Sequence, residues 1–483
     1  MKTAPDAPCS GEGRSVGCRT LRSGLRRSTA LFAALLALPS AAFAQSIAIT
    51  GGRVVVGDGS PPIENGTVVI NNGRVVAAGA NVAVPAGATM VDAGGRWVTP
   101  GIVAGFSRIG LLEVDAVAGT NDVSANNSPF SAALDVAPAI NPQGTGIAIN
   151  RAAGVTRAMV APGASRSIFA GQGAAIDLGQ DMQPITRRRL FQFVELGEEG
   201  AQQAGGSRVS AHVLLRNALR EAGELRGPIS GGGARSAQQE VPPENVEENP
   251  AVITGNQRRE DVILTRFDAA ALVPVVQGRQ YLLVHVERAA DILQALALKR
   301  EFPNIRLILV GATEGWRVAR EIAAARVPVI VNAMEDLPET FEQLAATQSN
   351  TGRLQAAGVQ VAIGMINDDE ARMIRVTTQH AGNMVAIARV PGHTGLTWDE
   401  AFASITSRPA EVFGMGGEIG SLRAGRRADV VIWSGDPLEL SSNVDAVWID
   451  GVPQSLATRQ TRLRDRYRTP QEGAMPHAYD PRD

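Results

Sequence analysis

The feature that most constrains the fold is an alternation of apolar, β-branched runs with amphipathic helical stretches in the second half of the chain. The clearest copy is the run Tyr281–Val286 followed by the helical stretch 289–300, and strand-like runs recur at 306–310, 327–331 and 359–364. Alternating units of this length predict a parallel sheet with helices outside it. The number of units approaches eight and no glycine-rich phosphate loop follows the first strand. A (β/α)8 TIM-like barrel is therefore favoured over a doubly wound sheet.

Two β-rich segments lie at the ends of this pattern. Residues 45–99 run through short Val-rich segments, with Asn72-Gly73 as a strong hairpin signal between two of them, and residues 414–455 are again strand-like. Neither segment alone has enough strands to bury a core. We therefore predict that both segments form one small β-sandwich domain beside a barrel that spans residues 100–413.

The first 44 residues have the pattern of a secretory signal peptide. Five arginines precede an apolar run at 30–38, and Ala42-Phe43-Ala44 is a small-residue cleavage site, which predicts a mature chain that begins at Gln45. The apolar run has less than half of the roughly 20 residues needed to span a bilayer, so no stable membrane anchor is expected. We predict a periplasmic or secreted protein. Both cysteines lie in this leader, which excludes cysteine chemistry from the mature chain.

Composition limits the remaining segments and the partners. Residues from about 223 to 260 are rich in Gly, Pro, Gln and Glu and predict a flexible insertion, placed where it can cover the barrel mouth, and residues 456–483 predict a polar tail. The 46 basic and 48 acidic residues give a formal net charge of -2. Since there is no basic excess to neutralise a phosphate backbone, nucleic acid is not expected as a partner.

Three passages resemble the amidohydrolase superfamily, closest to its imidazolonepropionase-like exported members. They are residues 92–103, residues 283–292 and residues 407–433, the last of which is very similar to the family's return from the barrel into its β-domain. The resemblance implies a (β/α)8 barrel that hydrolyses carbon–nitrogen bonds, of non-peptide amides or dipeptides, with metal ions held at the C-terminal ends of the strands.

Most of the family's metal ligands have no counterpart in this chain. The family's two strand-one histidines are matched by Phe106 and Arg108, and Gly311 stands where the strand-six histidine is expected. Phenylalanine and glycine offer no ligand atom, and arginine stays protonated. The resemblance also implies, for members with two metal ions, a carbamylated lysine from strand four that bridges the metals. The single lysine of the mature chain, Lys299, lies in the helix after strand five, so this bridge is absent. Of the ligand set, His285 and an aspartate after strand eight remain.

The residues that remain define the candidate site. His285 and Glu287 are spaced i and i+2 and can face the barrel mouth together, while Asp368 or Asp369 arrives from strand eight. These four are the candidate catalytic residues, with His285 as a general base. No cofactor is expected, and the alternative is one zinc ion on His285 and Asp368. We expect Arg108 to replace the lost metal charge and to pair with one of the three carboxylates.

Three functions stay open at this stage. The first is a divergent hydrolase of carbon–nitrogen bonds; the second is a catalytically inactive barrel that binds a small periplasmic solute or peptide; the third is a subunit that supports an active paralogue or forms an oligomer. No other histidine has ligand spacing to a second one. We interpret the remaining four as surface or packing residues: His212, His380, His393 and His477.

Overall fold

The computed structural model describes residues 46–114, 116–225, 263–367 and 373–468. The predicted signal peptide, nearly all of the predicted insertion, the end of the polar tail, and both Asp368 and Asp369 lie outside these residues. None of the helices among the described residues is both long enough and apolar enough to cross a membrane.

The strands and the helices are numbered in the order in which they occur along the chain. The strands are β1 Ile47–Val54, β2 Ile63–Asn71, β3 Arg74–Gly79, β4 Thr89–Asp92, β5 Trp97–Pro100, β6 Ile102–Ser107, β7 Val155–Val160, β8 Phe169–Asp177, β9 Ile185–Glu195, β10 Tyr281–Val286, β11 Arg306–Gly311, β12 Val329–Val331, β13 Val361–Ile363, β14 Val430–Trp433, β15 Val444–Ile449 and β16 Val452–Gln454. The helices are α1 Thr145–Ala152, α2 Glu198–Gln203, α3 Arg208–Glu224, α4 Arg266–Val276, α5 Ala289–Glu301, α6 Ala319–Ala325, α7 Asn350–Ala356, α8 Thr377–Ile387, α9 Trp398–Ala403, α10 Ser407–Val412 and α11 Arg459–Arg468.

Strands from both ends of the chain share one β-sheet. Its order is β16-β15-β14-β5-β1-β2-β3, and β4 branches from it by pairing with β1. The link between the two ends is the antiparallel pair β5–β14, in which Val98 faces Ile432. Alternate apolar residues of these strands form a buried core of their own, which includes Ile49, Val98 and Val430. The sheet is continuous across the described residues, and its division into two sandwich layers stays a prediction.

The barrel strands form a second sheet in the order in which they follow along the chain. The sheet runs from β6 to β13, and the amide of Met365, just beyond β13, donates to the carbonyl of Phe106 in β6 at 3.3 Å. This bond joins the last strand to the first. The chain is therefore a mixed α/β fold with a nearly closed eight-stranded barrel, as its sequence pattern predicts.

One strand departs from the predicted (β/α)8 repeat. β8 is antiparallel to both β7 and β9, whereas the other neighbouring pairs of the barrel sheet are parallel. The reason lies in the connections, because residues 161–168 and 178–184 are all that join β8 to its neighbours. A parallel crossover needs about a dozen residues or more, so these short links reverse the chain. The prediction of eight βα units is corrected to a barrel that contains one antiparallel meander.

The unit formed by β10 and α5 illustrates how local sequence positions the site. The run Tyr281–Val286 is apolar except for His285, and each of its residues pairs in register with β11. The helix that follows has Asp291 in its first turn and two basic residues in its last, which suits the helix dipole. Ile292, Ala295 and Leu298 of α5 are buried against the barrel. The polar side chain of β10 is thereby held at the C-terminal end of a rigid strand.

A buried arginine connects the barrel to the β-sheet of the chain ends. Arg157 in β7 is 1% exposed, and its Nε and Nη2 donate to the two carboxylate oxygens of Asp429 at 2.8 and 2.9 Å. Its Nη2 also lies 2.8 Å from Asp450, and its Nη1 lies 3.4 Å from Asp177. Burial alone would lower the pKa of Arg157, but these carboxylates, Asp429 first, raise it. These ion pairs hold the barrel against the β-sheet that is formed by the two ends of the chain.

Candidate functional site

The centre of the barrel mouth is a histidine between two glutamates. Glu195 is the last residue of β9 and pairs in register with His285 of β10, and its Oε1 lies 2.6 Å from His285 Nδ1. Phe193 and Phe191, two and four residues earlier, point into the barrel, so the alternation of the strand turns Glu195 inward as well. Oε1 of Glu195 also accepts from the amide of Gly197 at 3.2 Å.

The second glutamate follows β10 directly. Glu287 is 5% exposed, and its Oε1 lies 2.9 Å from His285 Nε2. Its Oε2 accepts from the backbone amide of Thr313 at 2.7 Å. A side chain at Gly311 would collide with this carboxylate, because a Cβ there would lie 2.3 Å from Glu287 Oε1. The carboxylate of Glu287 therefore fills the space that a histidine at position 311 would need.

The charge state of His285 follows from its two partners. Burial alone would lower the pKa of His285, but the charges and hydrogen bonds of Glu195 and Glu287 outweigh burial and raise that pKa well above its usual range. The ring is then an imidazolium at neutral pH, and both of its N–H groups donate to carboxylates. An imidazolium has no lone pair, which argues against His285 as a general base.

The strand-one positions contain an aromatic ring and a guanidinium. Phe106 is fully buried and packs edge-on against Phe193 with 5.3 Å between ring centroids. Arg108 is half-buried, and its guanidinium carbon lies 5.7 Å from the centre of the Phe106 ring. Glu287 takes its hydrogen bonds from His285 and Thr313, and both aspartates lie outside the described residues. The pairing of Arg108 with Asp368 or Asp369 stays a prediction.

A second polar group lines the mouth where strands β12 and β13 end. Glu335 accepts hydrogen bonds from the side-chain amides of Asn332 and Asn367, the latter at 3.2 Å. Burial, reinforced by the charges of Glu339 and Glu287, raises the pKa of Glu335 to about 7. Oδ1 of Asn332 is buried and has no hydrogen-bond partner among the residues that the structure describes.

One wall of the mouth is held by a buried carboxylate. Glu342, in the segment after β12, accepts from the amide of Glu198 at 2.9 Å and from Arg208 Nη2 at 2.9 Å. Burial raises the pKa of Glu342, although both of these donors oppose the rise. Arg208 also contacts Asp291 at 3.1 Å, which joins α3 to α5 at the rim. This network fixes the loops around His285.

The described residues do not fit the metal centre that the family implies. Both ring nitrogens of His285 face carboxylates, Phe106 supplies no ligand atom, and Glu287 fills the space at Gly311. Across the described ranges, no group of three His, Cys, Asp or Glu residues is arranged to hold a metal ion. Lys299, in α5, donates to the carbonyl of Ala325 at 2.7 Å and so stays with the outer helices.

Sequence reasoning found half of this site. It identified His285 and Glu287 by their place at the end of a strand, and the structure brings them together. It does not predict Glu195, because the family resemblance implies a lysine at the strand-four position. The signal was present in the run Phe191-Gln192-Phe193-Val194-Glu195, where an acidic residue continues an inward-facing alternation. Glu335 has no comparable signal, since it lies in an irregular segment.

Proteins with sequences similar to this chain include an amidohydrolase and imidazolonepropionases. Residues 316–453 match the sequence profile of the Amidohydrolase family. The amidohydrolase tasK of Hapsidospora irregularis is 24% identical over 378 residues, which are 74% of this chain and 36% of that protein. The imidazolonepropionase of Maricaulis maris is 29% identical over 241 residues, 48% of this chain and 54% of the relative. This chain thus spans about a third and about half of the lengths of these two relatives.

The fold is also similar to that of a solved amidohydrolase. A solved amidohydrolase from Thermotoga maritima superposes with a TM-score of 0.69 at 23% identity, over 84% of this chain and 99% of that one. These similarities confirm the resemblance to the amidohydrolase superfamily that residues 92–103, 283–292 and 407–433 indicate.

Proposed function

We propose that this chain is a divergent amidohydrolase-fold protein whose barrel mouth binds a small polar molecule without the family's metal centre. The observation that carries the proposal is the pairing of both ring nitrogens of His285, with Glu195 at 2.6 Å and Glu287 at 2.9 Å. A histidine that binds zinc must offer the metal an unprotonated ring nitrogen. In this arrangement the imidazolium itself supplies the positive charge that two buried carboxylates require.

The ligand we propose is an amide- or amine-containing small molecule or short peptide. Glu335 accepts hydrogen bonds, and the carbonyl oxygen of the Asn332 side chain has no donor among the described residues, so both oxygen groups suit a ligand that donates N–H groups. The same class includes the amides and dipeptides that hydrolases of this superfamily cleave. Association with an active paralogue or with a second copy is compatible with this proposal.

A second candidate is metal-free hydrolysis of a carbon–nitrogen bond. One observation favours it: Glu335 lies in the mouth with a pKa raised to about 7, which suits a group that accepts and returns a proton at neutral pH. Glu335 would take the proton of an attacking water and pass a proton to the leaving nitrogen. The relatives' names support this candidate, since they describe amidohydrolases.

Metal content separates the proposal from a conventional amidohydrolase. The mature protein is treated with a chelator, reloaded with zinc and analysed by elemental mass spectrometry, with His285→Asn and, as a matched control, the exposed His393→Asn. We expect far less than one zinc per chain in all three proteins. One zinc per chain that His285→Asn removes and His393→Asn retains would overturn the proposal.

Binding and turnover are then measured on the metal-free protein. Thermal shift against a panel of small amides, amines and dipeptides should give a stabilising ligand, and its effect should be weakened in Glu335→Gln but not in the control Glu321→Gln, which removes an exposed charge from α6. Release of amine from the same panel tests the second candidate. Turnover that is lost only in Glu335→Gln would establish hydrolysis. A panel that neither shifts the melting temperature nor is hydrolysed would contradict both.

A further inference from the structure

The C-terminal helix α11 carries a dense positive charge on a surface that packs against little else. Five of its ten residues are arginines and one, Asp465, is acidic, so the helix carries +4 while the whole chain carries -2. No residue of α11 is buried. Its start is fixed by Thr458, whose hydroxyl accepts from the amide of Thr461 at 3.2 Å. The helix is thus capped locally and presents its side chains to the surroundings.

The distribution of these side chains around the helix is ordered. At about 100° per residue, Leu463 and Tyr467 fall on one face, and they are 40% and 54% exposed. The arginines lie on both sides of this apolar pair: Arg459, Arg462 and Arg466 on one side, Arg464 and Arg468 on the other. Thr461 and Asp465 occupy the opposite side. Since Thr461 is the one α11 residue that is partly covered, the apolar pair and its arginines face outward.

This arrangement fits the surface of a lipid bilayer. An interfacial helix places leucine and an aromatic residue at the headgroup boundary and surrounds them with basic side chains. Arginine is suited to this place because its planar fork binds phosphate oxygens in pairs and its long stem reaches up from an apolar anchor. Tyrosine is enriched at the same depth. We propose that α11 binds reversibly and peripherally to membranes that expose anionic phospholipid headgroups, with Leu463 and Tyr467 entering the interface.

Nucleic acid is the competing polyanion, and the apolar pair disfavours it. Leu463 and Tyr467 have no role on a sugar–phosphate backbone, whereas in a bilayer they bury apolar surface. Arg464 forms an exposed pair with Asp465 at 2.8 Å, which offsets only one of the five positive charges.

Co-sedimentation with vesicles tests the proposal on the intact mature protein. We expect binding to vesicles of phosphatidylcholine with one third phosphatidylglycerol at low salt, little binding to pure phosphatidylcholine, and a loss of binding at high salt because ions screen the attraction. Each arginine near an anionic surface contributes about fivefold to the partition coefficient, so Arg462→Gln with Arg466→Gln should weaken binding about 25-fold. Leu463→Ser with Tyr467→Ser should abolish most binding at unchanged charge.

The matched control changes charge elsewhere. Arg220→Gln with Arg300→Gln removes the same two charges from exposed positions of α3 and α5 and should leave vesicle binding within twofold of the parent protein. Circular dichroism checks that every variant is folded, and since α11 buries nothing, the variants in it should unfold at the parent's urea midpoint. Equal binding to both vesicle types, equal loss in the control pair, or preference for a DNA duplex over the anionic vesicles would each overturn the proposal.

Discussion

Replacing Glu195 with glutamine removes a charge from the centre of the barrel mouth while keeping the shape of the side chain. The amide oxygen can still accept from His285 and from the amide of Gly197, so the variant isolates the charge of the carboxylate. Hydrogen bonds to charged groups contribute about 1.5–3 kcal/mol to stability. With a 2.6 Å contact to a mostly buried ring, we expect Glu195→Gln to lower the free energy of unfolding by about 2 kcal/mol near pH 6.

The loss of stability in Glu195→Gln should depend on pH. The pKa of His285 is raised in the folded chain above its unfolded value of about 6.5, because Glu195 and Glu287 stabilise the imidazolium. The stability that this contributes is fully present below about pH 6.5 and is lost as pH rises through the folded-state pKa. The difference between the parent and Glu195→Gln should therefore be largest between about pH 5 and 6.5 and should shrink above the folded-state pKa.

Urea unfolding followed by circular dichroism at several pH values measures the difference. Glu301→Gln is the matched control, since Glu301 pairs with Arg216 in a partly exposed position and its loss should cost at most about 1 kcal/mol with little pH dependence. Nitrogen-15 spectra of the imidazoles, assigned with His285→Asn, report the charge of the ring directly. A neutral His285 in the parent protein at pH 7, or a cost in Glu195→Gln that does not vary with pH, would refute the reasoning.

Three further predictions concern other parts of the chain. Arg157→Met should lower the free energy of unfolding by about 3–5 kcal/mol, as a shift of the urea midpoint, because it leaves the buried carboxylate of Asp429 unpaired; a cost below 1 kcal/mol would contradict the pairing. Gly311→His should cost about 3 kcal/mol or more, since its φ of +85° is strained for histidine and its Cβ meets Glu287, and thermal unfolding should recover in part when Glu287→Ala is added. N-terminal sequencing of exported protein should begin at Gln45, and a retained leader would exclude cleavage there.

The barrel could be predicted from sequence because hydrophobic periodicity and segment length are local properties. The direction of β8 is not local. Its run Phe169–Asp177 is mostly apolar, as are the parallel strands of the barrel, and only the shortness of residues 161–168 and 178–184 distinguishes it. The length of these connections is therefore the sequence signal for the direction of β8. A count of strands that ignores it predicts eight βα units, which is wrong.

The candidate site was also predictable only where it depends on local sequence. His285 and Glu287 follow from one strand and its alternation, so sequence sufficed to place them together. The contact with Glu195 depends on the register between β9 and β10, which lie 86 residues apart where one ends and the other begins. Register across so long a separation is set by tertiary packing. The occupation of the Gly311 position by a glutamate from another strand is likewise visible only in three dimensions.

The antiparallel meander of β7, β8 and β9 also bears on how the barrel assembles. Its three strands meet through short links, so they can pair without the entropic cost of closing long loops, whereas the bond that closes the barrel, from Met365 to Phe106, joins distant parts of the chain. We expect residues 155–195 to act as the folding nucleus and the seam between β6 and β13 to form last. Pulse-labelled hydrogen exchange during refolding would detect this order as early protection of the meander amides, and simultaneous protection of the seam would exclude it.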